Sequence, residues 1–81
     1  MAIHELKTIQ PFFNDIKSGE KTFELRKNDR NFDIMDKVIL KEYDQMRNKF
    51  TGEMISIYIT YILKNRVGLD DDYCIFSFIK E

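Results

Sequence analysis

The chain has 81 residues, and its 13 Lys+Arg stand against 14 Asp+Glu for a formal net charge of −1. That length supports a single domain, residues 1–81, burying roughly 60–65% of its surface around one core, and the charge excludes a grossly basic nucleic-acid coat but not a local basic patch. One cysteine, Cys74, and one histidine, His4, exclude a disulfide framework, a Cys-rich zinc site and a His-paired metal centre.

Ile3–Leu6 reads as a short first strand. Pro11 then opens a predicted helix, Pro11–Ser18, in which Phe12 and Ile16 lie four apart on one face. Gly19 fits the left-handed residue just past the helix end. Lys21–Arg26 alternates, with Phe23 and Leu25 pointing one way and Thr22, Glu24 and Arg26 the other. Asn28-Asp29-Arg30 and Asp33–Asp36 read as turns. Lys37–Tyr43 follows as a strand with Val38 and Leu40 on one face, and Asp44–Gly52 reads as a polar loop.

Glu53–Leu63 is the strongest signal. Ile55, Ile57, Ile59, Tyr61 and Leu63 fall on one parity, which predicts a long half-buried strand. Lys64–Asp72 reads as a loop. Tyr73–Ile79 is apolar on both faces and reads as a central strand. About five strands and one helix after the first strand define an α+β chain. In so short a sequence they favour a small curled antiparallel or mixed barrel, because closure removes exposed edges. No apolar run approaches the ~18–20 residues of a membrane span. The first residues carry no apolar signal core, so a cytoplasmic domain is expected, with no membrane, metal or cofactor.

The most basic window is residues 17–30. Lys17, Lys21, Arg26, Lys27 and Arg30 face three acidic residues there, a net of +2 on a chain whose overall charge is −1. Lys and Arg in such a window contact phosphate, and Arg does so bidentately. The structural alternative is a solvated strand edge with ordinary ion pairs. Thr22, Glu24 and Arg26 share a strand face with Lys21 at its start. A carboxylate between two cations orients a base edge, holds a proton for transfer, or simply makes a structural pair. His4 titrates near neutrality or serves as a buried hydrogen-bond partner. Asp70-Asp71-Asp72 suits a solvated loop better than a metal, since three adjacent carboxylates on an extended chain cannot all face one ion. Cys74, in an apolar strand, reads as an inert core thiol. Tyr43, Phe50 and Tyr58 stack bases if they face a groove and pack the core otherwise.

Longer stretches resemble a known group. His4-Glu5-Leu6-Lys7 and the run Gly19-Glu20-Lys21-Thr22-Phe23-Glu24-Leu25-Arg26-Lys27-Asn28-Asp29-Arg30 resemble the ASCH domains of the PUA-like superfamily. More closely they resemble a small uncharacterised family of bacteria and their phages, domain of unknown function 3850. Asp33-Ile34-Met35-Asp36 stands where that family commonly has a valine-glycine-aspartate turn. Leu40–Asp44, Thr51-Gly52, Ile59–Leu63, Gly68-Leu69 and Tyr73–Ile79 continue the likeness. The resemblance implies a PUA-like β-barrel with a cleft beside Gly19–Arg26, and RNA or a nucleotide as ligand. Lys21 matches the lysine after the helix–glycine turn, and Glu24 and Arg26 match polar positions on the next strand.

On this reading Lys21, Thr22, Glu24, Arg26, Lys27, Arg30 and His4 form the binding set for RNA or another single-stranded nucleic acid. Some ASCH relatives are amidohydrolases that deacetylate N4-acetylcytidine. They use a lysine at the position of Lys21, a threonine where this chain has Glu24, and a glutamate in an insertion that this chain lacks. The resemblance therefore implies a second possibility, a small amidohydrolase with Lys21 and Glu24 as its catalytic residues. A third is a protein-interaction accessory module that meets a basic partner through the acidic remainder of the surface.

Overall fold

The computed structural model describes residues 1–81. The elements in chain order are β1 (Ile3–Thr8), α1 (Phe12–Ser18), β2 (Phe23–Lys27), β3 (Lys37–Asp44), β4 (Lys49–Leu63) and β5 (Tyr73–Lys80). The strands form one mixed sheet in the order β1-β3-β4-β5-β2. β1 runs parallel to β3 and the other three pairings are antiparallel. The sheet curls into a half-barrel around Leu6, Ile16, Phe32, Val38, Leu40, Ile57, Ile59, Cys74, Phe76 and Phe78. β5 is interior to the sheet, as its two apolar faces predicted. No helix is long and apolar enough to cross a membrane.

Closure into a full barrel does not occur. β1 and β2 remain edges, with no backbone ladder between them. Arg26 on β2 and Arg30 in the segment just after it reach across to β1 instead. Arg26 Nη2 donates to Thr8 Oγ1 (3.2 Å), and Arg30 Nη1 donates to the Glu5 carbonyl (3.2 Å). Side chains thus occupy part of an edge that backbone pairing would have covered.

Several local expectations change with tertiary contact. The expected loop Asp44–Gly52 is mostly hairpin, because β4 begins at Lys49 and pairs it with Asp44. The turn itself is held by Asp44 Oδ1, which accepts from the amides of Met46 (3.0 Å) and Arg47 (3.1 Å). In α1 the buried pair is Phe13 and Ile16, while Phe12 is exposed. Spacings of three and four both make a face in a seven-residue helix, and packing against the sheet chose three. In β4 an extra residue, Thr60, breaks the parity between Ile59 and Tyr61. Ile62 therefore packs against the core and Tyr61 turns outward. The bulge is anchored by the Met35 amide on the Ile59 carbonyl (2.7 Å) and the Ile59 amide on the Asp36 carbonyl (3.0 Å).

The turn before β3 holds Met35 at φ 72°, in the left-handed region that favours glycine. A β-carbon in that conformation costs about 1–2 kcal/mol. Glycine loses about 0.5–1 kcal/mol of that gain to the freer unfolded chain. Met35→Gly should therefore stabilise the fold by about 0.5 kcal/mol and raise Tm by roughly 2–4 °C in a thermal melt.

Candidate nucleic-acid interface

β2 carries the main departure from hydrophobic logic. Its alternation is intact, but the buried face is the polar one. Glu24 is 3% exposed, whereas Phe23 and Leu25 are 50% and 54% exposed. Register explains this. Glu24 lies opposite Phe76 and Arg26 opposite Cys74, and both β5 residues point into the core. A charge placed there must be paired. Lys21 Nζ donates to Glu24 Oε1, and Arg26 Nε donates to Glu24 Oε2 at 2.7 Å. Arg26 Nη2 continues to Thr8 Oγ1. No buried side-chain polar atom anywhere in the chain lacks a partner.

Lys21 is delivered to this position by the end of α1. Gly19 takes φ 91° and turns the chain, and the Lys21 amide then bonds the Asp15 carbonyl at 2.9 Å. Its ammonium lies 5.4 Å from the Phe12 ring centroid and 5.2 Å from that of Phe23. The result is a cleft of about 500 Å³ with Thr8, Lys21, Glu24 and Arg26 as its polar groups. Phe12, Phe23, Ile9 and Leu25 supply apolar lining, and Lys7 also borders it. Two cations against one carboxylate leave the polar set at +1. An apolar-walled hollow with a few convergent polar groups is the usual form of a small-ligand site.

The remaining candidates separate. Thr22 is exposed and lies outside the cleft lining, with its carbonyl accepting the Phe78 amide (3.2 Å). Lys27 is exposed at the end of β2, opposite Tyr73, and lies outside the cleft lining. Arg30 is on the bridge to Glu5 and within 3.8 Å of Asp29. His4 is buried away from the cleft, where Nε2 meets Asp36 Oδ2 at 2.8 Å and the ring packs edge-on to Phe32. Burial opposes ionisation of Asp36, but the Ala2 amide, His4 and the Asp33 amide together hold its carboxyl below the usual aspartate value. Burial pushes the Cys74 thiol up, which suits an inert core residue.

Tyr43 and Phe50 pack edge-to-face on the β3–β4 hairpin, with Lys7 over the first ring and Lys41 over the second. Asp70–Asp72 form a turn closed by Asp70 Oδ1 on the Asp72 amide (2.9 Å). No group of three His, Cys, Asp or Glu side chains is placed to hold a metal ion. Sequence reasoning missed Lys7, Thr8, Ile9, Phe12, Phe23 and Leu25 as cleft residues. Thr8 meets Arg26 across a gap between the edge strands that no sequence spacing reveals.

Comparison with known proteins places these features in a family. The chain is 36% identical over 69 residues to an uncharacterised 12.9 kDa protein encoded in the region 3′ of GpA in Escherichia phage P2. That alignment takes in 85% of this chain and 62% of the phage protein, so the chain spans less than two thirds of its relative's length. The family described as Domain of unknown function (DUF3850) matches residues 3–78, a stretch that contains α1, the arginine bridges and every cleft residue, and the chain belongs to that family.

Proposed function

We propose that this chain is a PUA-like, ASCH-type domain that binds RNA or another single-stranded nucleic acid, or a nucleotide, in the cytoplasm. One observation supports the reading above the others. Lys21 and Arg26 converge on a single buried carboxylate, and the Lys21 ammonium lies near the rings of two exposed phenylalanines, Phe12 and Phe23. Cations contact phosphate, and exposed aromatic faces stack bases without regard to sequence. Glu24 acts as a positioning residue, since each of its oxygens already accepts from a cation.

Salt dependence tests this. Two or three phosphate contacts, from Lys21, Arg26 and Lys7, give a slope of about −1.5 to −2 in log affinity against log salt for a single strand. Fluorescence anisotropy with a labelled ten-nucleotide RNA should show that slope. Phe23→Ala should weaken binding about tenfold, within the range of one lost base stack. No binding at 20 mM salt (about the lowest practical ionic strength), or a salt-independent affinity, would overturn the proposal.

The Lys21–Glu24 contact is also the observation on which hydrolysis of an acylated nucleoside rests. Turnover of N4-acetylcytidine by the wild type that disappears in Lys21→Ala would replace binding with catalysis as the role of the cleft.

A further inference from the structure

We infer that the cleft takes one terminal nucleotide, holding its phosphomonoester on Lys21 and Arg26 and its base against the phenylalanines, and that no strand passes through it. The inference rests on the nucleic-acid reading above and narrows it to strand ends and free mononucleotides.

The first ground is hydrogen-bonding capacity. Both Glu24 oxygens already accept from cations. Lys21 keeps two of its three N–H groups, and Arg26, with Nε–H and one Nη2 N–H engaged, keeps three of its five. The polar floor therefore offers mainly donors, and it selects an acceptor-rich group. A phosphomonoester presents three acceptor oxygens and about −1.5 to −2 charge at pH 7. An internal phosphodiester has one charge and two free oxygens, so it engages the two cations less fully.

The second ground is the shape of the gap. A strand threading between the two sheet edges would have to run past Arg26 and then past Arg30. Both positions are bridged, by Arg26 to Thr8 and by Arg30 to Glu5. On the other side, the start of β2 is tied to α1 by the Lys21 amide on Asp15. The hollow is thus bounded at both ends and open outward, as a receptor for one protruding unit is. Its volume of about 500 Å³ falls within the range of small-molecule sites.

The experiment titrates the full chain at low salt with uridine, uridine 5′-monophosphate, inorganic phosphate, and a tetrauridylate bearing a 5′ phosphate, a 3′ phosphate or neither. The mononucleotide and at least one phosphorylated tetramer are expected to bind within about threefold of each other and to compete. Uridine and the unphosphorylated tetramer are expected to bind at least tenfold more weakly. Lys21→Gln keeps a donor for Glu24 but loses the cation, and it should abolish the phosphate preference while melting as a folded protein.

Equal binding of all three tetramers, with no competition from the mononucleotide, would overturn the terminal-nucleotide inference and leave strand binding standing. Inorganic phosphate binding as tightly as the mononucleotide would overturn it as well, since the phenylalanines would then contribute nothing. Failure of every RNA probe to bind would overturn the nucleic-acid reading itself.

Discussion

Glu24→Ala is expected to destabilise the fold by about 3–5 kcal/mol, the cost of breaking a buried ion pair from one side. Alanine leaves Lys21 and Arg26, which are 17% and 23% exposed, without the carboxylate that both contact. It also frees Arg26 from the geometry that carries its guanidinium to Thr8 on β1. The gap between the two edge strands should loosen with the core beside it. Domains of this size have only about 5–15 kcal/mol in hand. With a urea slope of about 1 kcal/mol per molar, the unfolding midpoint should fall by about 3–5 M. Glu24→Gln, which keeps one acceptor oxygen, should lose less than half as much. A midpoint that moves by less than 1 M in Glu24→Ala would show that the two cations are solvated well enough to need no partner.

Asp36→Ala should be the next most damaging change, at about 2–4 kcal/mol. The Asp36 carboxylate accepts from the amides of Ala2 (2.9 Å) and Asp33 (3.0 Å) and meets His4 Nε2. It therefore fastens the start of β1 to the turn before β3, the turn that also pins the β4 bulge. The pH dependence follows from the direction of its shift. Burial works against the charge, and the hydrogen bonds outweigh it, so the folded-state pKa lies below the ordinary aspartate value of 3.8. A carboxyl whose folded pKa is depressed stabilises fully above its unfolded pKa and loses that contribution as pH falls through the folded value. Stability of the wild type should thus drop on acidification below about pH 4, and the drop should shrink in Asp36→Asn. Denaturant titrations at a series of pH values between 2.5 and 7 compare the two. Parallel curves for wild type and variant would remove Asp36 from the acid transition.

Much of the scaffold was legible in advance because periodicity is a local property. The isoleucines of β4 and the doubly apolar β5 announced themselves as strands, and Val38 with Leu40 marked the inner face of β3. The cleft was legible in part. Lys21, Glu24 and Arg26 were grouped by charge and spacing, and the fold brings them into direct contact. Lys27 and Arg30 belonged to the same charge window and do not join them. Lys27 sits at the far end of β2, beyond the last cleft residue, and the edge gap draws Arg30 to a backbone carbonyl.

Alternation along β2 established which side chains share a face, and the charge window established that cations cluster past the helix. Neither could say which face would be buried. That was decided by the register against β5, where Phe76 fixes the inner side and brings Glu24 in with it. The sheet's failure to close was likewise tertiary. β1 and β2 end up as opposite edges because β3, β4 and β5 lie between them in the hydrogen-bonded order. Local sequence carries torsional preference and periodicity over a few residues, whereas burial and edge pairing are set by partners dozens of residues away.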